Sequence, residues 1–531
     1  MTSVLSLEAS GRWRVGTVLV VAFLASMPIV PLLGRSLEPG APALGPVFWG
    51  SLWTSAGVAA GAATIGVLVG LPLGVFAALH EFPGRKALLV TAALPLLVPS
   101  FLWAIGWSEL AARVPGAPAM LRGTSGCVLV FATMVAPLVL LVSFAASTSL
   151  SRSQVDGARL AGGETRVLRL ASRHAIVPAL LAAALGGIVT LADAGAGEIL
   201  GVPMVATELL TSFAARYDVQ LAARQCLVLT GLVLLAAAPV AWVAGRRLAD
   251  AALARQTAPF PRQLAGMGAT ASLALLVLIS VLLPLAGLLL PVVSGPWSLA
   301  AEAVELTRDN WRRNHFTLLV MGAFGTVART AANTLVYAAG AGLVATLLGF
   351  GLACAAGRSG TLRTIALVVA LALFAWPPAA GALGAATMAT ASPAWLDPIL
   401  RSRFTVCAIL GLRLFAVGTV LGLRAWGTMA PSWAYAAAVH GVPPRRYLWR
   451  VVWPSLRPSA ALSMLVVSLL ASADVGTVLL LHPPGADSLP LTIFTVMANA
   501  PTTTVVSLCL LYLFGAFALL LVLVHLAARR P

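Results

Sequence analysis

Lysine is almost missing from this chain of 531 residues: of its 34 lysines and arginines, only Lys86 is a lysine. A phosphate-cradling GxxxxGK[ST] loop needs a lysine to reach the phosphates. Lys86 follows Gly84 and Arg85 and precedes Ala87, so the chain has no ATP site of that design. Charge of either sign is also scarce, at 10% of residues against 60% hydrophobic, and mean hydropathy is +0.97. That is too little polar surface for a soluble globule, and an all-α polytopic membrane protein is expected. The five cysteines, Cys127, Cys226, Cys354, Cys407 and Cys509, show no CxxC spacing and lie in or beside apolar runs. They read as small buried hydrophobes, not as a metal or redox centre. The six histidines are scattered, with His80, His174 and His440 at the edges of apolar runs. No Ser/His/Asp, HExxH or paired-carboxylate set recurs at catalytic spacing, so a membrane-embedded enzyme finds no support.

What the chain does have is positive charge, +17 in all, and nearly every unit of it is arginine. A nucleic-acid face needs basic residues clustered on a water-exposed domain. Here they form short punctuations between apolar runs, the pattern of a positive-inside bias, and no nucleic-acid partner is expected. Apolar stretches long enough to cross a bilayer lie near 15–34, 52–79, 87–108, 126–148, 177–200 and 223–245, then near 265–292, 331–356, 362–384, 404–423, 456–481 and 503–527. Arg12 and Arg14 precede the first without a small-x-small cleavage site, so it is expected to be retained as a helix. Twelve spans thus fall in two groups of six, joined by the basic, proline-containing stretch Arg246 to Arg262. The predicted domains are 1–255 and 256–531.

Single residues relate the two groups. Gly61 and Gly340, Gly70 and Gly349, Pro99 and Pro378, and Gly162 and Gly441 all differ by 279 in number. With six spans in each group the copies share one orientation, a parallel repeat. With the N-terminus in the cytoplasm, 22 of the 34 basic residues face the cytoplasm and 11 face outward. Both termini are then cytoplasmic, as are the two conspicuous polar loops.

The first loop runs from Asp156 to Pro178, DGARLAGGETRVLRLASRHAIVP, and the second from Tyr435 to Pro454, YAAAVHGVPPRRYLWRVVWP. Each predicts a short helix, a glycine break, and a second basic helix that re-enters the membrane at a proline, which a first helical turn tolerates. Such a small-residue helix suits docking in a partner's groove. The loops resemble the EAA loops of binding-protein-dependent ABC transporter permeases: Glu-Ala-Ala, three residues, Gly, nine residues, Ile-x-Leu-Pro. In the second, Ala436, Ala437, Gly441 and Pro454 match, with Gly and Pro 13 apart, while Tyr435 replaces the glutamate. In the first, Asp156 replaces the glutamate, Gly157 replaces one alanine, Ala158 and Gly162 match, and Gly162 and Pro178 are 16 apart.

Phe82 to Pro99 resembles the entry to the third span of such permeases, and Leu191 to Gly201 and Ala473 to Gly485 resemble the branch that fuses two permease domains for iron(III) or thiamine. The resemblance implies a repeated type I importer fold in a bacterial inner membrane. It also implies ATPase subunits, one on each loop, which bind ATP and Mg in place of this chain, and an external substrate-binding protein. Iron(III) or a similar cation is the solute expected; thiamine, polyamines, phosphonates and oxyanions are alternatives.

Asp193 and Asp474 follow the loops at matching places, each preceded by Ala and followed by x-Gly. Ionisable groups inside a span mark pathways or paired sites. Either the pair lines a path for a cationic substrate, or each carboxylate bonds a helix broken at its glycine; the sequence leaves both open. Arg413 lies inside the tenth span and demands an acceptor across the bundle. The stretch from about Gly295 to Arg329, with Glu302, Glu305, Arg308, Asp309, Arg312 and Arg313, reads as a surface helix or a binding-protein dock. A major-facilitator transporter also has twelve spans in parallel halves, and HEFPGRK resembles its charged turn. Against it, the conspicuous loops precede spans five and eleven and repeat with a glycine.

Overall fold

A computed structural model describes residues 16, 19, 21, 23, 27–38, 42–251, 260, 262–264, 267–292, 315–357, 359–500 and 502–528. Parts of the first expected span, the middle of the expected linker and the outer stretch from 295 to 314, with its charged residues, lie outside them. Apolar composition and length make helices of nearly everything else, because a backbone that leaves water must bond to itself. The described helices include α1 (Ile29–Ser36), α2 (Pro46–Leu79), α3 (Arg85–Ala92), α4 (Ser100–Ala111), α5 (Thr124–Thr148), α6 (Arg152–Leu191), α7 (Gly195–Leu200), α8 (Val219–Ala251) and α9 (Met267–Val277). After them come α10 (His315–Ala356), α11 (Gly360–Phe374), α12 (Pro378–Ala391), α13 (Arg403–Thr428), α14 (Pro431–Val439), α15 (Pro444–Tyr447), α16 (Trp453–Ser472), α17 (Gly476–Leu481) and α18 (Thr502–Ala528).

Among the described residues nine helices are long and apolar enough to span a membrane, or up to eleven if each of two bent pairs counts as one span. One bent pair is Arg85–Leu97 with Ser100–Ala111, turned by 106°; the other is Gly360–Phe374 with Pro378–Ala391, turned by 83°. Both bends fall at prolines. Pro99 precedes α4 and Pro378 opens α12, where a missing N–H costs nothing. The chain is therefore an all-α membrane-embedded protein. Its expected linker is helical through Ala251, and after the undescribed residues a short parallel pairing sets Gln263–Leu264 beside His80–Glu81.

Glycine lets the long helices approach closely, as small residues do where lipid supplies no hydrophobic drive. A Cβ on Gly70 of α2 would stand 2.8 Å from Val139 Cβ and 2.9 Å from the Leu140 nitrogen of α5. A Cβ on Gly349 of α10 would stand 2.5 Å from the Gly418 carbonyl carbon and from the Thr419 nitrogen of α13. Val139 and Gly418 differ by 279, as do Leu140 and Thr419. Likewise Gly61 faces Val128 and Gly340 faces Cys407, again 279 apart. The landmark glycines and their partners thus keep one offset.

Candidate functional site

The first loop begins with a capping box: the Ser151 hydroxyl accepts from the Gln154 N–H at 3.3 Å, and the Gln154 side chain accepts from the Ser151 N–H at 3.0 Å. The helix then breaks at Gly162 and Gly163. Gly162 is extended, and it is Gly163, at φ 66°, that takes the left-handed turn. From Glu164 the chain is helical again through Pro178 to Leu191. The second loop is α14, a turn with Gly441 at φ 62°, then α15, a π-helical turn at Leu448–Val452, and α16 with Pro454 in its first turn. The first half of each loop is thus a short helix stopped by glycine.

Within those short helices two of the matched alanines, Ala158 and Ala437, serve as seats. Ala437 is buried in a cluster with Phe350, Ala434, Tyr447 and Val452. Ala158 packs on a second cluster, of Val75, Leu79, Val155 and Val167. Ala436 and Tyr435 are exposed. Asp156 is half-exposed and pairs with Arg152 at 3.4 Å and with Arg159 at 3.8 Å; Arg159 also pairs with Glu164 across the glycine break. Sequence reasoning missed the tips. Leu160 is 91% exposed and Val439 is 84% exposed. Each stands two residues before its landmark glycine, and the two differ by 279. A large apolar residue two places before a glycine that recurs at the offset of 279, in an otherwise polar or small-residue stretch, was the available signal.

The carboxylates sit where spans are broken. The apolar run expected over 177–200 stops at Leu191, and α7 starts afresh at Gly195. Asp193 caps that start: its Oδ1 accepts from the Gly195 N–H at 2.7 Å and from the Ser100 hydroxyl at 2.7 Å. Ser100 is the first residue of α4, so one carboxylate fastens both the α3–α4 bend and the break after α6. Among the described residues Asp193 Oδ2 accepts no hydrogen bond.

Asp474 does the same after α16. Its Oδ1 accepts from the Thr477 N–H at 2.8 Å, at the start of α17, while Oδ2 pairs with Arg413 of α13. That pair is withdrawn from water, with 5% of the Asp474 side chain and 17% of the Arg413 side chain exposed. Arg413 and Asp474 both lie within electrostatic reach of Asp193. Two carboxylates and one guanidinium therefore share one region of the protein interior. Beside it, the Tyr512 hydroxyl of α18 lies 3.0 Å from the Ser472 hydroxyl and donates to the Leu97 carbonyl at the α3–α4 bend, 3.5 Å away.

Among the described residues no group of three or more His, Cys, Asp or Glu side chains is placed to hold a metal ion. A cavity of about 150 Å³ lies between α4, α7 and the start of α18, lined by Ser108, Glu109, Ile199, Met497 and Thr502 among others. No family model matches this chain, and neither a curated protein nor a solved structure does.

Proposed function

We propose that this chain is the permease subunit of an ATP-driven ABC importer, with residues 1–255 and 256–531 as two fused permease domains. Its loops dock two separate ATPase subunits, which bind ATP and Mg, and an external binding protein delivers the solute. The observation that carries the reading is the pair of tips Leu160 and Val439, almost fully exposed at the ends of two short helices in the polar loops. Large apolar side chains exposed that way are complementary to a groove on a partner. Ala158 and Ala437 seat the helices, Gly163 and Gly441 turn them, and Asp156 tightens the first by its ion pairs. The common offset of 279 in the facing glycines supports the duplication.

The carboxyl groups of Asp193 and Asp474 at the broken spans are the ground for expecting a cationic solute, iron(III) or a similar ion, over an oxyanion. Placing the loops in the cytoplasm puts both termini there, in the inner membrane of a bacterium. Purification from the native membrane tests the assignment. An ATPase is expected to co-purify, and Leu160→Asp with Val439→Asp is expected to release it without changing membrane insertion. Solute uptake driven by a proton gradient with no ATPase bound would overturn the reading in favour of a secondary transporter.

A further inference from the structure

The second, basic part of the second loop and the start of α16 carry a surface with no role in the proposed coupling. Arg446, Trp449, Arg450, Trp453 and Arg457 each have another of the set three or four residues away, across α15, the π-helical turn and the first turns of α16. All five are exposed, and the two indoles meet edge to face with ring centroids 6.3 Å apart. Among the described residues the guanidinium groups of Arg446, Arg450 and Arg457 make no ion pair or hydrogen bond. The sequence from Pro431 to Ser472 contains no aspartate or glutamate to neutralise them. The first loop carries Arg166, Arg169 and Arg173 in its second helix, likewise exposed and without an ion pair among the described residues, but no tryptophan lies between Glu164 and Pro178 to accompany them.

The stripe sits where the chain passes from the polar loop into the apolar part of α16, the depth at which tryptophan rings settle among headgroups. Guanidinium is the side chain best shaped to grip a phosphate through two parallel hydrogen bonds. We propose that this surface binds the phosphate of an anionic phospholipid, holding it against Trp449 and Trp453, and that the first half has no such site. Each basic residue near an anionic surface contributes about 1 kcal/mol, so removing three predicts binding weaker by roughly a hundredfold.

The test uses the full chain, stripped of native lipid and free of ATPase, titrated with phosphatidylglycerol or phosphatidylcholine and followed by native mass spectrometry. Wild-type protein is expected to retain phosphatidylglycerol more tightly by at least about tenfold. The triple variant Arg446→Gln, Arg450→Gln, Arg457→Gln is expected to lose that preference, and the corresponding lysine variant to keep most of it. Equal retention of the two lipids by wild-type protein overturns the proposal without recourse to any variant, even one that does not fold. So does a glutamine variant that still prefers phosphatidylglycerol, and the more so if it no longer co-purifies with an ATPase, since the stripe would then belong to a protein partner.

Discussion

Asp474 divides its two oxygens between unlike tasks: Oδ1 holds the first turn of α17 and Oδ2 holds Arg413. Removing one member of a buried ion pair leaves the other uncompensated, at a cost of about 3–5 kcal/mol. Arg413→Ala is therefore expected to destabilise the protein by that order. Arg413→Met combined with Asp474→Asn should cost less than Arg413→Ala, as read by chemical denaturation in detergent. A double variant as weak as Arg413→Ala would show that the charge pair is not the source. Asp193 allows a cleaner separation of charge from shape. An asparagine keeps an oxygen for the Gly195 and Ser100 donors and removes the charge. If the carboxylates attract a cation, Asp193→Asn with Asp474→Asn lowers uptake in cells that need the solute, with the folded protein present in normal amount. Intact uptake would leave the carboxylates only their role as helix caps.

At the scale of elements, much of the loops was legible in the residues. A helix, a glycine and a basic helix could be read because each residue type has a local backbone preference; the proline expected in a first helical turn is there in the second loop at Pro454, but Pro178 of the first lies inside the continuous helix from Glu164 to Leu191. Which glycine carries the left-handed turn was not legible in the first loop, where Gly162 and Gly163 are adjacent and the second takes it. A Cβ on Gly441 would meet nothing within 4 Å, so a substitution there acts through φ alone. Left-handed backbone costs about 1–2 kcal/mol per non-glycine residue, least for asparagine. Gly441→Val is expected to abolish transport with normal membrane insertion, and Gly441→Asn to retain part of it. Equal transport by wild type and Gly441→Val would remove the second loop from the coupling assignment. The bends in the third and ninth apolar runs were hidden for another reason. Hydropathy measures composition, and a helix that turns back within a membrane is as apolar as one that crosses. Ser100 and Thr477 went unnoticed likewise, because a cap is recognised only once the break it serves is known.

Across the whole molecule, a single numerical offset links glycines, the residues they face, the prolines at the bends and the exposed tips. The two loops differ in their first helices: Arg152 and Arg159 of the first have acidic partners, whereas the sequence from Pro431 to Ser472 holds no aspartate or glutamate at all. The close approach at Gly70 and Gly349 makes these positions intolerant of bulk. Gly349→Leu is expected to insert in the membrane but to lose the monodisperse elution of the folded protein in detergent, because Gly418 has no room to withdraw.

Beyond its glycine break, α6 runs without interruption from Glu164 to Leu191, some 42 Å at 1.5 Å per residue. The second half has a π-helical turn at Leu448–Val452 between its tip and α16, a wider coil than the α-helix it joins. In the proposed coupling each tip is separated from its carboxylate first by a glycine turn, and the first half then has Pro178 inside its helix while the second has a π-helical turn, so the two halves would transmit motion through unlike backbone.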